Sequence, residues 1–194
     1  MTEHLKITRS GRAPSQNHIE LGCLIDLATS LGVRSYLEIG SRHGDTFWHV
    51  MRSLPAGSRG LAVDLPNGAW GTSSSAAALT KVVDDLRSDG YDADVHFGSS
   101  HDAETIALCG AEPWDMILID GDHRYGPAKQ DWDAYGPMAL KAVAFHDIAG
   151  EGVRNRHSGL PVEVPRLWRE IRDLHECREF IAPGSIMGIG VLLK

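Results

Sequence analysis

Asp120-Gly121-Asp122-His123 and His146-Asp147 bring three carboxylates and two imidazoles into two short segments, each directly behind an apolar run. If those runs are neighbouring strands, the five groups meet. Unpaired carboxylates at that density repel and raise one another's proton affinity. A divalent cation relieves the repulsion. Oxygen-rich donors suit Mg²⁺ or Mn²⁺, while Mn²⁺, Fe²⁺ and Zn²⁺ tolerate the imidazole better. The competing reading is structural: Asp122 caps a helix, His123 lies on the surface, and His146-Asp147 open a loop.

A second group surrounds residues 36–44, Tyr-Leu-Glu-Ile-Gly-Ser-Arg-His-Gly. A short apolar run meets an acid and then two glycines, which reads as a buried strand turning into a helix. The spacing, E-x-G-x-x-x-G, is not the G-x-G-x-x-G of a dinucleotide fold, and the Lys-Ser/Thr of a phosphate loop is missing. Glu38 would repel a phosphate and attract an ammonium, so the turn suits a cationic ligand with an amino acid end. The bland alternative is an ordinary strand–turn–helix. Asp64 follows Gly40 at close to the roughly 20-residue spacing at which an acid meets ribose hydroxyls, or else is a solvated strand end. Ser99 and Ser100 suit an adenine edge, or the cap of a following helix.

These residues need elements that converge. Apolar periodicity predicts a helix over 15–31, a strand over 34–39, a helix from Asp45 to about Leu54, and a strand over 60–65. A Gly/Ser-rich loop over 66–75 carries Trp70. A helix over 76–88, a strand over 93–97 and a helix near 101–108 follow. Strand 115–120 (DMILID) is apolar almost throughout, as in a strand buried on both faces of a parallel sheet. Helix 127–136, strand 142–146, helix 164–176 and strands 180–181 and 186–193 complete the chain, the last two as an antiparallel pair. Alternating strands and helices give an α/β fold whose ligands bind outside the carboxyl ends of the strands. Glu38, Asp64, Gly98-Ser99-Ser100, Asp120 to His123 and His146-Asp147 all fall at those ends.

The 194 residues suit one domain, with 1–13 a flexible polar arm and 14–194 a single domain. A formal charge of −7 and the lack of a basic cluster argue against nucleic acid as a partner. The three cysteines include no C-x-x-C pair, which points to a reducing compartment. No apolar stretch reaches the ~20 residues of a membrane span, and the N-terminus lacks the apolar core of a signal peptide. The cytoplasm is the expected location.

The segments YLEIGSRHGDTF, LAVDLP, HFGSS, DMILIDGDHRYG and VAFHDI resemble the class I S-adenosylmethionine-dependent methyltransferases. The closer likeness is to small-molecule O-methyltransferases of the catechol and macrocin/cephalosporin-biosynthesis types. The match spans 14–150 in order, and VPRLWREI and SIMGIGVLL fit the final helix and hairpin. The resemblance implies a Rossmann-like, mostly parallel sheet with helices on both faces and a C-terminal antiparallel hairpin. It implies that Glu38, Gly40, Ser41 and Gly44 line the methionine part of S-adenosylmethionine, and that Asp64 takes the ribose hydroxyls. Gly98 and Ser99 would lie near the adenine, and Asp120 beside the cofactor. Asp120, His146 and Asp147 would hold a divalent metal, Mg²⁺ or Mn²⁺, and His123 would be the general base. Relatives more often carry Asp or Glu where this chain has His146. The implied acceptor is a small hydroxylated molecule, with no membrane or nucleic-acid partner and with homo-oligomerisation common among such relatives.

Other residues are open to two readings. Trp70 and Trp132 border an acceptor pocket or are ordinary packing. Arg124 and Tyr125 reach the acceptor or open a helix. Arg154, Arg156 and His157 form a basic loop that selects an acidic acceptor or is merely solvated. Two other functions use the same residues: a metal-dependent hydrolase working through the Asp/His cluster, and a non-catalytic S-adenosylmethionine-binding protein.

Overall fold

A computed structural model describes residues 14–70, 75–155 and 158–194. The elements are α1 (His18–Ser30), β1 (Ser35–Ile39), α2 (Asp45–Ser53), β2 (Arg59–Asp64), α3 (Ser75–Ser88), β3 (Asp92–Phe97), α4 (Ala103–Cys109), β4 (Trp114–Ile119), α5 (Tyr125–Tyr135), β5 (Ala139–His146), α6 (Val164–Ile171), β6 (Cys177–Phe180) and β7 (Ile189–Leu193). The expected arm at 1–13, residues 71–74 of the Gly/Ser-rich loop, and Arg156 and His157 lie outside the described residues.

The seven strands run in the order β3-β2-β1-β4-β5-β7-β6. β1 to β5 are parallel. β7 is antiparallel to β5, and β6 to β7, which makes the C-terminal hairpin. Alternation along the strands sorts the core into two layers. Tyr36, Ala62, Met116, Leu118, Ala144 and Val191 face Leu24, Phe47, Met51, Leu79 and Val83 of α1, α2 and α3. Leu37, Ile39, Val63, Ile117, Ile119, Val143 and Phe145 face α4, α5 and α6 through Cys109, Tyr135, Leu167, Trp168 and Ile171. Both faces are covered, which is why β1 and β4 have no polar alternation. Burying each large apolar side chain contributes about 1.5–3 kcal/mol before conformational entropy is subtracted.

Five boundaries differ from the sequence expectation by three residues or more, the start of α1 at His18 rather than 15 among them. β5 begins at Ala139 rather than 142, lengthened by pairing with Trp114 at the start of β4. α6 stops at Ile171 and tightens into a 3₁₀ turn over Arg172–Leu174, which turns Leu174 out of the apolar face to 75% exposure. β6 covers Cys177–Phe180 rather than 180–181, and β7 begins at Ile189 rather than 186, because 181–188 forms a loop. Glu20 of α1, fully buried, holds that loop by accepting the N–H groups of Ala182 at 2.9 Å and Gly188 at 3.0 Å.

Candidate active site

The strand order reverses direction between β1 and β4, and a cleft of about 510 Å³ opens there at the carboxyl ends of the strands. The glycine turn after β1 forms its floor. Gly40 (φ +90°), Arg42 (φ +49°) and Gly44 (φ +82°) take left-handed conformations in quick succession. Gly40 N donates to Val63 O at 2.8 Å and Gly44 N to Ser41 O at 2.7 Å. A Cβ on Gly40 would lie 2.6 Å from the Cα of Gly121, and one on Gly44 would lie 2.7 Å from the Leu79 side chain. Close approach of the chain to itself therefore already requires both glycines, where sequence alone suggested close approach to a ligand.

Glu38 is 2% exposed and accepts the Tyr36 hydroxyl at 2.5 Å. Burial pushes its carboxyl up to about 8, so it holds its proton at neutral pH. A cation brought beside it would pull it down again. Asp64, at the end of β2, accepts Arg42 N at 2.9 Å and Ser75 Oγ at 3.3 Å. Burial also raises Asp64, and those two donors hold it back. With up to four lone-pair positions, the carboxylate keeps capacity for a diol. Gly98, Ser99, Ser100 and His101 form the wall beyond β3. Behind His101, the wholly buried Asp131 stands 3.2 Å away, and its carboxylate keeps the imidazole readily protonated.

The Asp/His cluster assembles at the other end of the cleft. Asp120 Oδ1 is 3.0 Å from His146 Nδ1 and 3.8 Å from His123 Nε2. Asp147 Oδ2 is 2.6 Å from His123 Nδ1, and Asp147 Oδ1 is 3.4 Å from His146 Nδ1. Burial disfavours a charged His146, but Asp120 and Asp147 more than reverse this and lift it to about 9. Burial works against an ionised Asp147, and the two imidazoles overcome it and hold that carboxyl low. Asp147 sits at φ +63°, a strained conformation for a residue other than glycine, just past β5. Asp122 stands apart, since Arg124 clamps it at 3.0 and 2.5 Å and holds it low against the effect of burial.

Asp120, His123 and His146 each offer a ligand atom, all within 4.8 Å of one another. Asp120 Oδ1 and both ring nitrogens of His146 are buried without a hydrogen bond. Buried polar atoms left unpaired in a tight group fit a divalent cation, which would take the place of the proton on His146. Of the sequence-expected trio Asp120, His146 and Asp147, the first two belong to this group, while Asp147 turns its Oδ2 to His123.

Trp70 packs on His123 with ring centroids 4.2 Å apart and borders the cleft, the first of its two readings. Trp132 does not; it packs between Phe145 and His175. Arg124 lines the cleft, whereas Tyr125 points its hydroxyl to Glu170. Sequence reading missed Gln16, Thr46 and Glu163. Glu163 N donates to His123 O at 2.7 Å and its carboxylate accepts Tyr125 N at 3.0 Å, fixing the corner that carries His123. No local pattern signals such contacts between distant segments.

A methyltransferase-domain family model matches residues 37–148. Solved structures share the fold. An O-methyltransferase from Bacillus cereus, in complex with SAH, is 17% identical, with a TM-score of 0.65 over 99% of this chain and 89% of that one. A Streptomyces achromogenes O-methyltransferase involved in tomaymycin synthesis, in complex with SAM, is also 17% identical, with a TM-score of 0.65 over 99% and 86%. An SAH-bound methyltransferase of Podospora anserina is 13% identical, with a TM-score of 0.65 over 99% and 86%. A search of curated proteins finds no match.

Proposed function

Because the chain belongs to the methyltransferase-domain family, we propose that it is an S-adenosylmethionine-dependent O-methyltransferase acting on a small hydroxylated molecule. The observation that carries the proposal is the placement of the Asp120/His123/His146/Asp147 cluster in the same cleft as the glycine turn and Asp64. The cofactor supplies a sulfonium methyl group that is already electrophilic. This chain then has to hold an acceptor oxygen in line and remove its proton. Glu38, Gly40, Ser41, Gly44 and Asp120 bind the methionine part, Asp64 the ribose, and Gly98 and Ser99 the adenine.

His123 accepts the acceptor's proton at Nε2. Asp147, 2.6 Å from Nδ1, fixes the tautomer that leaves Nε2 unprotonated and steadies the imidazolium formed afterwards. Trp70 covers one face of the ring and limits its rotation. Asp120, His146 and Asp147 would hold a divalent cation, which when bound would acidify and orient the acceptor hydroxyl.

The compact trio Asp120, His123 and His146 favours a second reading, with His123 as a metal ligand. One variant separates the two. Transfer of labelled methyl groups from S-adenosylmethionine to a panel of catechols, phenols and hydroxylated sugars should fall by about 10²–10⁴ in His123→Ala, with Mn²⁺ affinity kept, if His123 is the base. Loss of Mn²⁺ binding together with turnover would make it a ligand. Undiminished turnover in the variant would remove His123 from either role.

A further inference from the structure

The cleft has a wall built from the segment ahead of α1. Ser15 and Gln16 line it. Gln16 Nε2 donates to Asp120 Oδ2 at 2.5 Å, across 104 positions of sequence, and Gln16 Oε1 accepts the hydroxyl of Thr46 in the first turn of α2. The orientation follows from chemistry. An ionised carboxylate only accepts, so the amide nitrogen must face Asp120, and the oxygen is left for Thr46. The segment is braced on both sides. Asn17 caps α1 by accepting Ile19 N at 2.9 Å, and Arg42 Nη1 donates to Ser15 Oγ at 3.4 Å.

This bridge gives the two oxygens of Asp120 different tasks. Oδ2 is held by Gln16. Oδ1 is buried without a hydrogen bond and faces His146 and His123. Without the amide, the carboxylate could rotate about χ2 and the distinction would be lost.

We propose that Gln16 is a positioning residue: it holds Asp120 with Oδ1 turned toward the two imidazoles, and so couples docking of residues 14–17 to ligand binding in the cleft. The identity of that ligand rests on the methyltransferase reading. Gln16 lies outside both core layers, so its removal should cost affinity far more than stability.

The test is calorimetric titration of S-adenosylhomocysteine into the wild type, Gln16→Ala, Gln16→Glu, Asp120→Asn and the Gln16→Ala/Asp120→Asn double variant. Gln16→Ala should weaken binding about tenfold, the size of one charge-assisted hydrogen bond, with the ligand-free melting midpoint nearly unchanged. Gln16→Glu should be weaker still, because it keeps the size and the Thr46 contact but sets a second carboxylate against Asp120. The double variant should bind about as poorly as the weaker single one, since the two residues act as a unit. Wild-type affinity in both Gln16 variants, or strictly additive losses, would overturn the assignment while leaving the methyltransferase reading intact. A wild type that binds no S-adenosylhomocysteine would overturn both.

Discussion

His146 brings an imidazole into the acidic end of the cleft. It places a buried imidazole, 6% exposed, between Asp120 and Asp147. An imidazole in the donor set would favour Mn²⁺ over Mg²⁺, and a carboxylate in its place would weaken that preference. His146→Asp should therefore raise Mg²⁺ affinity relative to Mn²⁺ by about tenfold or more, and lower ligand-free stability, because three carboxylates would then share one site. Competition titrations with the two ions and a melting curve check both effects; an unchanged Mg²⁺/Mn²⁺ ratio would place the cation elsewhere. At this scale the sequence was informative wherever chemistry sits in short segments. Asp120 to His123, His146-Asp147, Glu38 and Asp64 could all be picked out from type and position at strand ends. The partnerships were not legible. That Asp122 pairs with Arg124, while Asp147 turns to His123, depends on rotamers and on the left-handed backbone at Asp147.

Elements were legible where their hydrophobic period is long. α2, α3 and strands β1 to β4 lie within about two residues of expectation, and α1 within three, because burial leaves little choice of residue type. The C-terminal region was less so. Leu174 continues the spacing of Leu167 and Ile171, yet the helix ends before it. The loop over 181–188 is set by Glu20, whose partners are more than 160 positions away. α6 is instead fixed by Trp168, which packs directly over Gly190 in β7. A Cβ there would come within 2.6–2.7 Å of the indole. Gly190→Ala should therefore destabilise the fold by roughly 1–3 kcal/mol, measured by urea denaturation, since the indole has no room to move away. A neutral result would mean that α6 is free to shift on the sheet.

For the whole molecule, the pH dependence of stability follows from two groups with raised values. Glu38 is lifted from an ordinary 4.5 to about 8, and His146 from 6.5 to about 9. In each case the folded state keeps a proton that the unfolded chain has released, so stability falls as pH rises. The Glu38 contribution declines between 4.5 and 8, and that of His146 between 6.5 and 9. The ligand-free melting midpoint should therefore drop from pH 6.5 to pH 9. Glu38→Gln should flatten the part below 8. A midpoint that rises over this range would show that other groups dominate. Among the described residues no helix is long and apolar enough to cross a membrane. The α/β class could be read from alternating elements, but periodicity does not give strand order, and β3-β2-β1-β4-β5-β7-β6 is known only from the structure.

The proposed function depends on S-adenosylmethionine binding across the glycine turn with its ribose on Asp64. Calorimetry of S-adenosylmethionine with the wild type and Asp64→Ala, each with and without Mn²⁺, tests it most directly. The wild type should bind in the micromolar range, and the variant at least about tenfold more weakly, as expected for loss of hydrogen bonds to a charged group. Absence of binding by the wild type both with and without Mn²⁺ would rule out the methyltransferase reading and leave hydrolysis at the Asp/His cluster as the function to pursue.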